Sequence, residues 1–186
     1  MKILAFGASL RKGSFSKMAL QAAVAEIKKA GVEVEKLDLN DYPMPAYNWD
    51  LEQEGMPEVV EKFKAKIAEA SGLLISSPEY NHSVPGYLKN IIDWASRNSP
   101  ELKNVFQDKT VSLITVSDGS FGGIRAAIAW LPTFKTLGLV MYSAQMPIPK
   151  AQAVFDSQGK IIDPKMKERL EKFALGFVEF TQKHPP

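Results

Sequence analysis

The sequence predicts an α/β protein in which one parallel sheet lies between two layers of helices. Five short apolar runs alternate along the chain with five segments whose apolar residues recur at helical spacing. Strands that alternate with helices pair in parallel, and the helices then cover both faces of the sheet. The length of 186 residues suits one domain, residues 1–186, with a well-buried core.

The first elements are a strand, a helix and a second strand. Residues 2–6 (KILAF) form a short apolar run. From Ser16 onward apolar residues recur at helical spacing, and Gly31 is expected to end that helix. Valine then alternates with glutamate over residues 32–35, which is typical of a half-exposed strand.

The middle of the chain predicts a helix, a buried strand and another helix. Pro57 lies near the start of the first of these helices. Residues 72–77 (GLLISS) are predicted to be a buried strand. Pro85 falls in the first turn of the following helix, where a missing N–H costs nothing.

The last third predicts two more strands and two more helices. Residues 110–116 (TVSLITV) form a buried strand, and residues 139–143 (LVMYS) form a fifth one. The helix between them contains Pro132, which we expect to kink or end it. The pair Asp163-Pro164 predicts the start of the final helix, with aspartate as the cap and proline in the first turn.

The burial of the strands predicts their order. Strands 1, 3 and 4 are the most apolar, whereas strand 2 resembles an edge strand. This favours a flavodoxin-like three-layer α/β/α sandwich with a five-stranded parallel sheet in the order 2-1-3-4-5. In such sheets ligands bind beyond the carboxyl ends of the strands, near the switch point between strands 1 and 3. The loops after strands 1, 3 and 4 are therefore the candidate site.

The first loop, GASLRKGSFS at residues 7–16, has the composition of a phosphate-binding loop. It matches neither the Walker pattern nor the dinucleotide pattern G-x-G-x-x-G, because five residues separate its glycines and Ser9 stands at the middle glycine position. Its serines offer hydroxyls, Arg11 offers a charged fork, and the following helix offers free N–H groups. The alternative is a polar loop in which Ser16 only caps the helix.

The second and third loops have the residues of a ring-binding surface. SPEYNHSVPG contains two prolines that stiffen it, so that it could present backbone amides to a heteroaromatic ring. We expect Glu79 to hold this loop or to contact the ring through its backbone, and we assign no acid–base role to His82. SDGSFGG, from Ser117 onward, contains three glycines that let the backbone approach a ligand. The alternative for SPEYNHSVPG is a tight turn before a helix. The alternative for SDGSFGG is a flexible turn.

Composition excludes several classes of function. The net charge of +2 gives no strong field, so neither nucleic acid nor a membrane is an expected partner. The chain has no cysteine and only two histidines, which excludes thiol catalysis and predicts no metal site. No apolar run approaches the length of a membrane span and no signal-peptide pattern is visible, so we expect a cytoplasmic protein.

Taken together, the three loops resemble the NADPH-dependent FMN reductase family, a flavodoxin-like group that includes quinone, azo-dye and chromate reductases. The resemblance rests on residues 7–16 (GASLRKGSFS) and on residues 78–94 (PEYNHSVPGYLKNIIDW). Gly122-Gly123 before a helix and the segment 149–156 also fit the family. Ser16 stands where the family often has asparagine.

The resemblance implies a set of cofactor-binding residues. The FMN phosphate would lie among Ser9, Arg11, Ser14, Phe15 and Ser16. The isoalloxazine would contact Pro78, Glu79, Tyr80 and Asn81, with Ser117 at its far side. No catalytic side chain is assigned, because the flavin carries the redox chemistry.

The resemblance also implies an activity. An FMN-dependent NAD(P)H oxidoreductase, with NADPH or NADH as donor, would pass electrons by a ping-pong mechanism to a small-molecule acceptor such as a quinone, an azo compound, a metal ion or free flavin. Two alternatives stay open: an FMN-binding electron carrier of the flavodoxin type, and a regulatory protein without nicotinamide turnover. The net charge of +2 and the arginine in the first loop argue against the carrier.

Family members are dimers or tetramers, so the resemblance implies a homodimer or homotetramer. Tyr87 and Trp94 lie seven residues apart beside the apolar face of the third helix. This aromatic stripe suggests a second buried face that contacts a partner subunit. The alternative is a wide core face. The segment 42–56 is a further interface candidate, or else a plain surface loop.

Overall fold

The computed structural model describes residues 1–186 and contains one parallel sheet with helices on both faces. The strands are β1 (Lys2–Gly7), β2 (Glu33–Leu37), β3 (Gly72–Pro78), β4 (Thr110–Val116), β5 (Val140–Met141) and β6 (Met146–Ile148). Their order is β2-β1-β3-β4-β5, with β6 also paired to β4. The predicted fold class and strand order are therefore confirmed.

Seven helices connect and cover the strands. They are α1 (Phe15–Lys29), α2 (Trp49–Glu54), α3 (Glu58–Ala68), α4 (Gly86–Ala95), α5 (Ile124–Thr136), α6 (Ala151–Val154) and α7 (Pro164–Lys183). Five of them are the predicted helices, whereas the short α2 and α6 were not predicted. Asp163 caps α7 as expected, because its carboxylate accepts from the backbone N–H groups of Lys165 and Met166.

The core consists of two apolar clusters, one on each face of the sheet. Alternate residues of β1 point to opposite faces, so Leu4 and Phe6 belong to one cluster while Ile3 and Ala5 belong to the other. The first cluster packs under α3, α4 and α5, and the second packs under α1 and α7. These layers hold the carboxyl ends of β1, β3 and β4 at one rim of the sheet, where the three loops emerge.

The fifth strand is shorter than predicted and is divided into two. The prediction for residues 139–143 holds only for Val140–Met141, and a second segment, Met146–Ile148, continues the pairing with β4. Ser143, Ala144 and Gln145, between the two segments, are exposed and belong to neither strand. Pro147 is tolerated here because an edge strand leaves one row of backbone groups unpaired.

Of the two outcomes expected for Pro132, a kink or an end of the helix, the end is not observed. The helix continues to Thr136, four residues further on. Trp130 and Phe134 are buried on either side of the proline, and their rings stack 5.4 Å apart. Burial of these two aromatic side chains outweighs one lost hydrogen bond on the exposed side of the helix.

The aromatic stripe of α4 packs against the chain itself, so the interpretation of Tyr87 and Trp94 as a subunit contact is wrong. The Tyr87 hydroxyl donates to the Tyr42 carbonyl at 2.6 Å and accepts from the Met44 backbone N–H at 3.3 Å. Trp94 is fully buried, and its indole N–H donates to the Pro45 carbonyl at 2.9 Å.

Asn90 lies between Tyr87 and Trp94 on the same face of α4 and binds the same segment of the chain. It accepts from the Tyr47 backbone N–H at 2.7 Å and donates to the Pro45 carbonyl at 2.8 Å. The family-like run 87–94 therefore fixes the segment 42–47 to the body of the protein.

None of the helices is both long enough and apolar enough to cross a membrane.

Candidate functional site

A cleft of about 180 Å³ opens at the carboxyl ends of β1, β3 and β4. Nine of the ten residues predicted for the site line it, namely Ser9, Arg11, Ser14, Phe15, Ser16, Pro78, Glu79, Tyr80 and Ser117. The tenth, Asn81, follows Tyr80 directly but does not line the cleft. Val116 and Asp118 also line it and were not predicted. The only feature of the sequence that could have indicated these two residues is that they flank Ser117.

Three serine side chains are buried at the first-loop end of the cleft. Ser9, Ser14 and Ser16 are 2%, 4% and 1% exposed, although serine is usually a surface residue. The hydroxyls of Ser14 and Ser16 bond only to each other, at 2.8 Å, and the Ser9 hydroxyl accepts from the Arg11 N–H at 3.3 Å. These hydroxyls retain hydrogen-bonding capacity for a ligand.

The start of α1 leaves backbone donors free beside those hydroxyls. The first helical bond runs from the Met18 N–H to the Ser14 carbonyl, so the N–H groups of Phe15, Ser16 and Lys17 have no acceptor in the chain. Ser14 precedes the helix but makes no side-chain cap, and Ser16 lies within the first turn. The alternative in which Ser16 only caps the helix is therefore wrong.

The second loop is a tight turn held in a left-handed conformation. Tyr80 and Ser83 exchange backbone hydrogen bonds of 3.1 and 2.9 Å across the turn. The two residues between them, Asn81 and His82, have φ angles of 50° and 61°. Only glycine adopts such angles freely, although asparagine tolerates them. The turn therefore fixes the direction of the backbone at Tyr80, beside the cleft.

Glu79 connects the second loop to the third. One carboxylate oxygen accepts from the backbone N–H groups of Arg125 at 3.0 Å and Ala126 at 3.3 Å, at the start of α5. The other lies 3.8 Å from the Arg125 guanidinium. The carboxylate thus acts as a helix cap from a neighbouring loop, which agrees with the expectation that Glu79 holds the loop.

The third loop owes its close packing to glycine. Gly122 and Gly123 have φ angles of 61° and 80°. A Cβ atom at Gly122 would lie 2.8 Å from the backbone nitrogens of Ile148 and Pro149. These two positions therefore need glycine both for conformation and for space, and they set the loop tightly against the end of β6.

The cleft suits a flavin mononucleotide. At its first-loop end, free N–H groups, buried hydroxyls and the Arg11 guanidinium match the many acceptor sites of a terminal phosphate. At its other end, Pro78, Tyr80 and Val116 offer apolar and planar surface. No group of three or more histidine and acidic side chains is placed to hold a metal ion. Fold and cleft together define a flavodoxin-like flavoprotein that uses FMN.

The chain belongs to the NADPH-dependent FMN reductase family, whose family model matches residues 1–153. It is 37% identical over 173 residues to the NAD(P)H-dependent FMN reductase PA1204 of Pseudomonas aeruginosa, covering 92% of this chain and 90% of that protein. It is 38% identical over 191 aligned positions to an NADPH:quinone oxidoreductase of Arabidopsis thaliana, covering 97% and 92%.

A solved structure supports the same assignment. FerB, a flavoenzyme NAD(P)H:(acceptor) oxidoreductase from Paracoccus denitrificans, superposes with a TM-score of 0.82 at 30% identity, covering 100% of this chain and 99% of FerB. The protein is therefore an NAD(P)H-dependent flavoenzyme oxidoreductase.

Proposed function

We propose that the cleft binds FMN, with the phosphate on the first loop and the ring against the second and third loops, and that the enzyme reduces quinone-type acceptors by a ping-pong mechanism. The observation that carries the proposal is the cluster of unbonded N–H groups at Phe15, Ser16 and Lys17 beside buried serine hydroxyls. A bound anion would satisfy these N–H groups and hydroxyls together.

Each loop has a separate task in this proposal. The first loop and Arg11 hold the phosphate and so fix the position of the cofactor. Bound FMN supplies hydride acceptance from the nicotinamide and electron delivery to the second substrate. The turn at residues 80–83 and the neighbouring backbone of Pro78 and Glu79 orient the ring. Glu79 is occupied as a helix cap, so we assign it no proton transfer.

The acceptor is proposed to be a small quinone. Relatives described as quinone oxidoreductases or quinone reductases occur in plants and bacteria, including a 2-hydroxy-1,4-benzoquinone reductase of a Burkholderia species at 33% identity. Tyr80 is 51% exposed at the cleft, and a flat exposed side chain there suits a flat substrate. Azo compounds, metal ions and free flavin are the other acceptors to compare.

The test is a steady-state assay of the FMN-loaded protein with NADPH or NADH and a benzoquinone. Parallel lines in double-reciprocal plots are expected, because the nicotinamide leaves before the quinone binds. Intersecting lines would contradict the ping-pong order. If NAD(P)H fails to bleach the flavin absorbance in the absence of oxygen while dithionite succeeds, the electron-carrier alternative is favoured. Bleaching by NAD(P)H without turnover of any acceptor would favour a regulatory protein.

The protein is further proposed to work as a homodimer that buries the outer face of α5. Ile128 and Leu131, one turn apart on that helix, are 57% and 42% exposed, and Met141 on neighbouring β5 is 37% exposed. Three large apolar side chains together on one surface are typical of a contact between subunits. We place the enzyme in the cytoplasm, where its reductant NAD(P)H is available.

A further inference from the structure

The loop between β4 and α5 exposes a large aromatic side chain to solvent. Phe121 is 63% exposed, the highest value among the large apolar side chains. It directly precedes Gly122 and Gly123, which have positive φ angles, and Gly122 packs closely against residues 148–149. Phe121 is also three residues beyond Asp118, which lines the cleft. The Phe121 ring is therefore exposed to solvent close to the cleft.

A positively charged side chain lies against the face of the Phe121 ring. The Arg125 guanidinium carbon lies 5.1 Å from the ring centroid, within the range of a cation–π interaction. The Arg125 backbone N–H is bound by Glu79, which itself lines the cleft. The Phe121–Arg125 pair is therefore anchored directly to the wall of the site.

The hydrogen-bond donors of Arg125 are free. The chain has four arginines. Arg97 donates to the Ser96 hydroxyl, and Arg169 donates to the carbonyls of Gln145 and Pro147. The guanidinium of Arg125 donates no hydrogen bond, since its nearest carboxylate oxygen, on Glu79, is 3.8 Å away. Arg11 likewise has no side-chain partner, so both unbonded arginines flank the cleft.

The two free arginines follow strands that are not neighbours in the sheet. Arg11 follows β1, Arg125 follows β4, and β3 lies between these strands. Neighbouring strands are about 4.8 Å apart, so the ends of β1 and β4 are separated by roughly 10 Å across the sheet. Arg11 is assigned to the FMN phosphate in the proposed function. Arg125 is thus available for a second anion at the ring end of the cleft.

We infer that Phe121 and Arg125 bind the adenosine phosphate half of NAD(P)H. Adenine stacks on aromatic rings, and a guanidinium forms paired hydrogen bonds with phosphate oxygens. A nicotinamide dinucleotide carries both groups at a distance from its reacting ring, so it can contact this pair while the nicotinamide lies over the flavin. The inference rests on the proposed function, because it takes the cleft as the flavin site.

The experiment measures dissociation constants of NADP⁺ and NAD⁺ for the FMN-loaded protein by calorimetry, with no turnover involved. Arg125→Ala and Phe121→Leu are each expected to weaken NADP⁺ binding roughly 2- to 5-fold, a modest value because the pair is solvent-exposed. Arg125→Lys, which keeps the charge but loses the planar fork, is expected to fall between Arg125→Ala and the parent. FMN affinity should not change.

Arg97→Ala is the matched control. It removes an exposed arginine that also stacks on an aromatic ring, Tyr47 at 5.8 Å, away from the cleft. It should leave NADP⁺ binding at the parental value. A loss in this variant as large as that in Arg125→Ala would overturn the inference, because net charge alone would then explain the effect.

Reduced nicotinamide mononucleotide supplies the second readout. It lacks the adenosine phosphate half, so kcat/KM for this donor should be equal in the parent and in Arg125→Ala, while KM for NADPH rises with kcat unchanged. An equal loss with both donors, a loss of FMN affinity, or unchanged NADP⁺ binding would each refute the assignment.

Weaker binding of NADP⁺ alone identifies the 2′-phosphate as the contact, and equal weakening of NAD⁺ identifies the pyrophosphate. A parent that oxidises no nicotinamide refutes the proposed function, while the binding titrations still decide this inference.

Discussion

Several residues at the cleft have either a buried polar side chain or a strained backbone conformation. Ser14 and Ser16 are almost inaccessible, yet their hydroxyls are satisfied only by each other. Asn81 and His82 keep left-handed backbone angles at the turn beside Tyr80. Arrangements of this kind cost stability in the free protein and are repaid when a ligand binds.

Arg11 is the residue whose removal should report on the phosphate. Arg11→Ala removes a charge-assisted contact worth about 1.5–3 kcal/mol, which corresponds to roughly 10- to 150-fold weaker FMN binding. Riboflavin binding should hardly change, because riboflavin has no phosphate. Fluorescence titration of both flavins measures the two constants. Lys12→Ala is the control, since Lys12 is on the same loop but does not line the cleft. An equal loss for both flavins would contradict the assignment.

His82 should be a source of strain that glycine relieves. In a two-residue turn with positive φ at both central positions, Asn-Gly is the favoured pair. His82→Gly is therefore expected to raise the free energy of unfolding by about 0.5–1 kcal/mol, as the relief of strain exceeds the added freedom of the unfolded chain. Urea denaturation measures the change. Ser83→Gly, at a neighbouring position without positive φ, should lower stability, and a lower stability for His82→Gly would show that the turn is not strained.

At the scale of elements, charged side chains join strands to helices along the rim opposite the cleft. Glu35 on β2 bridges Lys2 on β1 and Lys66 on α3, at 2.6 and 2.8 Å. The hydrogen bond from Lys2, followed by that from Lys66, holds the pKa of Glu35 below its usual value of 4.5. One carboxylate thus connects the edge of the sheet to the helix layer.

Stability should consequently fall with acid in a way that depends on Glu35. Because the folded-state pKa is lowered, the contribution of Glu35 is complete above about pH 4.5 and is lost as the pH drops through the folded-state pKa. Glu35→Gln is expected to lower the free energy of unfolding at neutral pH by roughly 0.5–1 kcal/mol and to flatten its dependence on acid pH. Glu33→Gln is the matched change on the same strand, where no ion pair is made. Parallel pH curves for parent and Glu35→Gln would contradict the prediction.

The elements also show why some features could be predicted from sequence and others could not. Local signals such as Gly31 and Asp163-Pro164 marked helix ends correctly, since each acts through the backbone of its own turn. Pro85, expected in the first turn of α4, instead directly precedes that helix. The segment against which Tyr87 and Trp94 pack could not be predicted. Helical spacing shows that two side chains share a face, but it does not show what covers that face.

Long-range contacts account for the remaining differences. The length of α5 depends on aromatic side chains on both sides of Pro132, and the division of the fifth strand depends on what β4 offers to pair with. The ten site residues were placed by their family resemblance and by the rule that strands 1, 3 and 4 end at one rim. The pairing of Phe121 with Arg125 and the capping of α5 by the Glu79 carboxylate arise from contacts between segments, which the loop sequences alone do not show.

At the scale of the whole molecule, α5 connects the cleft to the proposed subunit contact. Its first turn is capped by Glu79 from the cleft wall, and its outer face exposes Ile128 and Leu131. That residues 1–186 form one domain stays a prediction.

Ile128→Glu should shift the protein towards monomer. A carboxylate at the centre of an apolar contact is desolvated without a partner, which costs several kcal/mol in the dimer and nothing in the monomer. Light scattering at micromolar concentration is expected to give the mass of two chains for the parent and of one chain, 20.6 kDa, for the variant. Lys172→Glu, on the exposed side of α7, should leave the mass unchanged. A monomeric parent would refute the dimer, and a dimeric Ile128→Glu variant would place the contact elsewhere.

The divided edge of the sheet has a consequence for behaviour at high concentration. A long flat edge strand is a template for adding strands from other molecules, and such growth has no natural end. Here one edge offers only Val140–Met141 and Met146–Ile148, separated by a detour and carrying Pro147. The opposite edge, β2, is lined by Glu33, Glu35 and Lys36. Both borders of the sheet therefore lack the long, flat, uncharged strand that such open-ended growth requires.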